Sequence, residues 1–273
     1  MEISFYSHPG RVRTNNEDAC LVIPPWQEPA ITAGACCFAV ADGIGGHAGG
    51  EIASRLAVEA IKEWLHKNRR SPFLVSSLEN AFNEANQEVW NYSRSHPNMS
   101  KMGTTLTAVF ITSDQALIGH VGDTRIYLLR AGELRQLSSD HTLVYEQVRL
   151  GHLTPEAAKT HPAKHILSRA LGVREFINID TMLLELLPND ILFLCSDGIT
   201  GMITEQQICD NLKLQPFKDV TKKMVDDANE AGGEDNSTAV AFQVDRIPVP
   251  FPGRYSLQRL KAILTHWGDS YCG

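Results

Sequence analysis

No apolar run in this sequence approaches the ~20 residues that span a bilayer. Its first residues, Met1-Glu2-Ile3-Ser4, open a strand-like segment rather than the basic-then-apolar pattern of a secretion signal, so the expectation is a cytoplasmic protein with no membrane span. Positive charge is not in excess: 25 Lys and Arg stand against 32 Asp and Glu, a formal net charge of −7, which ill suits a nucleic-acid partner. The six cysteines form no C-x-x-C pair, and Cys36, Cys37 and Cys195 fall inside apolar runs, where a thiol behaves as a small hydrophobe rather than a zinc ligand. No Cys is followed by Arg at the sixth position, no Asp-x-Asp occurs, and there is no Gly-x-x-x-x-Gly-Lys. Those absences argue against cysteine-based and aspartyl-nucleophile phosphate chemistry and against a nucleotide phosphate loop. Internal repeats and low-complexity tracts are also missing.

What the chain does have is an ordinary globular balance, 43% hydrophobic and 21% charged over 273 residues, enough for one large domain with a substantial core. The stretch Cys36-Cys37-Phe38-Ala39-Val40-Ala41-Asp42-Gly43-Ile44-Gly45-Gly46 is an apolar run that ends in a carboxylate followed by glycines. It reads as a buried strand that delivers a charge to its tip, with glycines that let backbone approach an ion or oxyanion. The stretch Asp190 to Ile199 repeats the design and ends in Asp197-Gly198. Either Asp-Gly alone reads as a tight turn. Together with Glu17-Asp18, Asp123 and Glu234-Asp235, they suggest acids converging on cations.

In chain order, residues 2–8 alternate as a strand, 11–18 form a polar loop before a short strand at 20–23, and Pro24 to Gly34 is a loop. Apolar residues at three- and four-residue spacing predict helices over 50–67 and about 76–95. From Gly103 the period becomes that of strands, and 104–112, 115–121, 125–130 and 133–137 read as a β-meander interrupted by Gly122-Asp123-Thr124. Residues 138–175 are irregular, with a short helix over 141–150 capped by Ser139-Asp140 and another begun by Thr154-Pro155. The histidines there, His141, His152, His161 and His165, match no zinc spacing. Strands follow at 177–187 and 190–196, then a helix opened by the capping box Thr204-x-x-Gln207, a helix over about 217–231, and a last strand, 239–244. Residues 246–273 read as a proline-containing linker and a small amphipathic helix that packs back or docks on a partner.

Arg13…Glu17-Asp18, Asp42-Gly43-x-Gly45-Gly46, Gly103-Thr104-Thr105, Gly122-Asp123-Thr124-Arg125, Ser196-Asp197-Gly198 and Asp235-Asn236 resemble, in order and separation, the motifs of metal-dependent type 2C (PPM) serine/threonine protein phosphatases, most nearly the bacterial single-domain members. The resemblance covers residue 3 to about 244. It implies an α+β fold, a four-layer α-β-β-α sandwich of two antiparallel sheets flanked by helix pairs, with the metal centre at one end of the sheets. On it, 1–245 is the catalytic domain and 138–175 its flap. Asp42 would bridge two Mg²⁺ or Mn²⁺ ions, with Asp197 and Asp235 completing one and the Gly43 carbonyl binding the other. Asp18, with Glu17 nearby, would act through waters, and Asp123 with Asp197 would form a third position. Partners would be phosphorylated proteins, a cognate Ser/Thr kinase and its targets.

The chemistry agrees with these roles. Hard ions take oxygen ligands, so carboxylates and one carbonyl suffice. Two ions about 3.5–4 Å apart acidify a shared water, which would attack phosphorus in line without a phosphoenzyme. Arg13 would take two phosphate oxygens in a planar fork. One departure stands out: animal members carry histidine where this chain has Ile44, which leaves protonation of the leaving group to His47 or to water on the ions. Gly43-x-Gly45-x-x-Ala48 nearly fits a dinucleotide fingerprint but lacks the alternating βαβ pattern around it. A non-catalytic phosphoprotein-binding module on the same fold is the alternative.

Overall fold

A computed structural model describes residues 1–24, 36–45, 48–68, 74–112 and 114–245. Residues 25–35, most of the expected Pro24 to Gly34 loop, Gly46, His47 and the tail 246–273 with its expected helix lie outside the described residues. Eleven strands, β1 (Glu2–His8), β2 (Asp18–Ile23), β3 (Cys36–Ile44), β4 (Gly103–Thr104), β5 (Leu106–Thr112), β6 (Gln115–Val121), β7 (Arg125–Arg130), β8 (Glu133–Gln136), β9 (Asp180–Glu185), β10 (Ile191–Cys195) and β11 (Ser237–Gln243), form two antiparallel sheets. One runs β1-β11-β10-β7-β8, the other β2-β3-β5-β6-β9, with β4 paired to the end of β3. Helices α1 (Ala48–Lys67) and α2 (Val75–Ser95) pack on the second sheet. The flap carries α3 (Leu143–Arg149) and α4 (Pro155–Lys159), and α5 (Asp197–Thr200), α6 (Glu205–Leu212) and α7 (Val220–Glu230) belong with the first sheet. This is the expected α-β-β-α sandwich. No described helix is long and apolar enough to cross a membrane.

The two-residue period of each strand divides its side chains between two cores. On β3, Cys37, Ala39 and Ala41 face the helices, where small Ala53, Ala57 and Ala60 of α1 let helix and sheet approach closely. Phe38 and Val40 face the other sheet, and Phe38 stacks on Phe242 of β11 with ring centroids 4.1 Å apart. The same split on β11 sends Val240 and Phe242 inward and Ala239 and Ala241 toward α7.

Three expectations are corrected. The run 104–137 is not a meander: β5 pairs β6 in one sheet and β7 pairs β8 in the other, so the chain changes sheets at Gly122-Asp123-Thr124. The first flap helix is capped by Thr142, whose hydroxyl accepts from the Tyr145 N–H, rather than by Ser139-Asp140. The strand bearing Asp42 runs on to Ile44, because Gly43 and Ile44 pair with Thr104 and Gly103.

Candidate active site

Following the inter-sheet face toward one end of the sandwich, apolar side chains give way to hydroxyls and then to acids. On β5 and β6 the apolar residues Val109 and Ile118 are succeeded by Thr107 and His120, and on β11 and β10 Val240 and Leu194 are succeeded by Thr238 and Ser196. Beyond them lie Asp18 and Asp42, directly opposite each other in the β2–β3 register. The Asp42 backbone is clasped from both sides: its N–H donates to Thr105 Oγ1 at 2.8 Å, and its carbonyl accepts from Thr104 Oγ1 at 2.9 Å and from the Thr105 N–H at 2.9 Å. That is the part played by the Gly-Thr-Thr motif. Glycine follows each strand-tip aspartate because another backbone comes against it: a Cβ on Gly43 would strike the Gly50 carbonyl, and one on Gly198 the Asn236 carbonyl.

These tips open on a cleft of about 840 Å³ whose walls include Arg13, Glu17, Asp42, Gly43, Asp123, Asp197 and Asp235. Asp18 sits behind it: one oxygen accepts from Ser196 Oγ at 2.7 Å, and the other is buried without a hydrogen-bond partner. Burial is the main cause that pushes Asp18 up to about 7, against the pull of Ser196 and Thr238. Burial and then the Asp197 charge push Asp123 up to about 8. Asp42 is held well above the carboxylate range by burial, then by the charges of Asp18, Asp197, Asp123 and Asp235 in turn. The other four aspartates are therefore within electrostatic reach of Asp42, and acids so crowded require positive charge.

The side chains nearest them supply some. Arg13 Nη2 lies 2.7 Å from Asp235 Oδ2, and His165 Nδ1 lies 3.3 Å from Asp197 Oδ2, a contact that raises the His165 pKa. Among the described residues no three His, Cys, Asp or Glu side chains meet closely enough to grip one ion by themselves. In this structure one oxygen of Asp235 is paired with Arg13 and one of Asp197 with His165. The donor set nevertheless fits hard divalent cations: carboxylates with no thiolate among them, and a buried, unpartnered oxygen on Asp18. The four flap histidines form no cluster, for His141 bonds Gly122, His152 bonds Gln147, and only His165 reaches the cleft.

The Protein phosphatase 2C family profile matches residues 10–239. The chain belongs to the protein phosphatase 2C family. Serine/threonine phosphatase stp of Listeria monocytogenes is 36% identical over 249 residues, 90% of this chain and 96% of that one. Protein phosphatase PhpP of Streptococcus pneumoniae is 37% identical over 254 residues, 90% of this chain and 98% of that one. The S. agalactiae serine/threonine phosphatase superposes with a TM-score of 0.81 at 31% identity, covering 90% of this chain and 99% of that one. The catalytic domain of PstP, solved with two manganese ions, gives a TM-score of 0.77 at 33% identity over 89% and 98%.

The structure gives a part to residues whose part was not evident from sequence. Asn236 is a hub: its Nδ2 donates to the Pro9 and Asn15 carbonyls at 2.9 and 2.8 Å, and its Oδ1 accepts from the Glu17 N–H at 2.7 Å. It thus hangs the loop bearing Arg13 and Glu17 on the end of β11. Lys164 and His165 reach the cleft from the flap, and no local pattern marks them.

Proposed function

We propose that this member of the protein phosphatase 2C family hydrolyses phosphoserine and phosphothreonine esters on proteins, transferring the phosphoryl group to water. The observation that carries the reading is the convergence of Asp18, Asp42, Asp123, Asp197 and Asp235 from distant parts of the chain on one cleft with Arg13 at its rim. Two or three Mg²⁺ or Mn²⁺ ions would be held by Asp42, Asp197, Asp235 and the Gly43 carbonyl, with Asp18 and Glu17 acting through water and Asp123 at a third position. When bound, such ions acidify coordinated water and offset phosphate charge.

The chain's own residues provide the rest. Arg13, more than half exposed beside Asp235, can swing its planar fork onto two phosphate oxygens. The described residues lining the cleft include no cysteine or serine, which favours direct hydrolysis over a phosphoenzyme on either side chain. Residues 1–245 make up the catalytic unit in this reading, its substrates are phosphoproteins that include a Ser/Thr kinase and its targets, and 246–273 is a segment that packs back on the unit or docks on a partner. The test is release of phosphate from p-nitrophenyl phosphate and from phosphothreonine, phosphoserine and phosphotyrosine peptides, with Mn²⁺ and with chelator. Mn²⁺-dependent turnover with preference for the first two peptides is expected. Phosphopeptide binding without turnover would replace the enzyme by a binding module.

A further inference from the structure

The root of the flap and the loop bearing Asp123 are bonded together at three successive residues. His120 Nε2 donates to the Ser139 carbonyl at 3.0 Å, and Arg125 donates to the Asp140 carboxylate through Nε at 2.9 Å and Nη2 at 2.6 Å. His141 then holds Gly122 twice, its N–H donating to the Gly122 carbonyl at 2.7 Å and its Nδ1 accepting from the Gly122 N–H at 3.0 Å. Both peptide planes that flank the Gly122 Cα are thereby fixed, and the second of them carries Asp123. Gly122 needs that fixing. Its φ of +113° is open to glycine, and a Cβ there would run into Thr105, the residue that clasps Asp42.

The other face of the imidazole leads to the far end of the flap. Because Nδ1 accepts from an amide, the ring proton lies on Nε2, which donates to Asp180 Oδ2 at 3.1 Å. Arg169 Nη1 donates to the second Asp180 oxygen at 2.6 Å, and the Ser168 N–H donates to the His141 carbonyl at 2.8 Å. One buried side chain therefore meets the Gly122 amide on one side and Asp180 of β9 on the other, and Asp180 in turn holds Arg169 near the end of the flap.

We propose that His141 is a positioning residue: its ring holds the Gly122 amide and so sets the backbone from which the Asp123 carboxylate is aimed. The proposal rests on the phosphatase reading above only for its kinetic readout.

Two variants separate positioning from plain packing. His141→Asn keeps an acceptor near Nδ1 but cannot reach Asp180, whereas His141→Gln keeps a donor near Nε2 but leaves the Gly122 N–H unpaired. In the Gln variant, hydrogen exchange at the Gly122 amide should quicken about tenfold, calorimetric affinity for the weakest Mn²⁺ should fall by a similar factor, and kcat should drop about tenfold with KM for p-nitrophenyl phosphate unchanged. The Asn variant should restore all three to within about twofold, and Gln placed on an Asp123→Ala background should add less than about twofold. Equal losses in the two variants, or losses that multiply with Asp123→Ala, would overturn the proposal. Should the Gln protein not fold, exchange in the Asn variant decides: retained protection at Gly122 supports the proposal and lost protection sinks it. A wild-type protein without turnover would refute the phosphatase reading while the exchange and Mn²⁺-binding arms still judged His141.

Discussion

Phe38 and Asp42 lie on the same face of the same strand, two pleats apart, and both point between the sheets. At the first position the facing surface is apolar and Phe38 stacks on Phe242. At the second, the neighbours are Asp18 beside it on β2 and the acids at the ends of the first sheet, and burial works against ionisation rather than for cohesion. Both positions belong to one continuous strand, and what changes between them is the side chain and what it faces. A sandwich of this kind thus separates its tasks along one layer, with stability in the middle and charge held at the mouth under mutual repulsion. Between them lies a band of hydroxyls, Thr107, Thr124, Thr238 and Ser196, with His120, that satisfies the buried polar groups at the transition.

If the division is real, changes at the mouth should abolish activity and spare the fold, and changes in the middle should do the reverse. The largest effect is expected from Asp42→Asn, which should lower Mn²⁺-dependent kcat by roughly a thousandfold or more while the urea midpoint holds or rises, since a repelled buried charge is removed. Phe38→Ala should cost about 3–5 kcal/mol of stability and leave kcat per folded molecule nearly intact; urea denaturation and active-site-normalised assays measure the two halves. A Phe38→Ala protein that stayed stable but lost turnover would break the comparison.

The intermediate band sharpens it. Burial, then the neighbouring His141, push His120 from 6.5 down to about 4. The folded state therefore binds fewer protons than the unfolded state between those values, so stability is full above pH 6.5 and falls as pH drops toward 4. From about pH 7.5 to about pH 5 the loss attributable to this residue should be about 2 kcal/mol, and His120→Asn should flatten that part of the profile. An unchanged slope would remove His120 from the account. The smallest effect belongs to the rim, where Arg13→Ala should raise KM for p-nitrophenyl phosphate about tenfold with a lesser change in kcat. An unaltered KM would take the phosphate away from Arg13.

Strand-tip acids were legible because a turn accounts for one apolar run that stops at Asp-Gly but not for the recurrence of the same design far along the chain, and Asp42 and Asp197 do stand at one cleft. The sheet change at Gly122-Asp123-Thr124 was not legible. Consecutive strands show the same alternation whether they pair with each other or belong to facing sheets, and only the positive φ of Gly122 and the clasp of His141 mark the corner. Asn236 was visible as part of a motif but not as the hub of the Arg13 loop, because its partners Pro9, Asn15 and Glu17 are more than two hundred residues away in sequence. His165 was visible only as one of four histidines of an irregular segment that fit no zinc spacing, and Lys164 carried no signal at all, since no period marks a face there.

The central claim is that these aspartates form one cation-binding centre at the mouth of the sandwich. Anomalous diffraction at the manganese edge from crystals grown with Mn²⁺ tests it without recourse to activity. The account predicts at least two peaks in the cleft, both against Asp42, one of them also bounded by Asp197 and Asp235 and the other by the Gly43 carbonyl, with Arg13 released from Asp235. A cleft without anomalous signal at saturating Mn²⁺, its Arg13–Asp235 pair still closed, would contradict it.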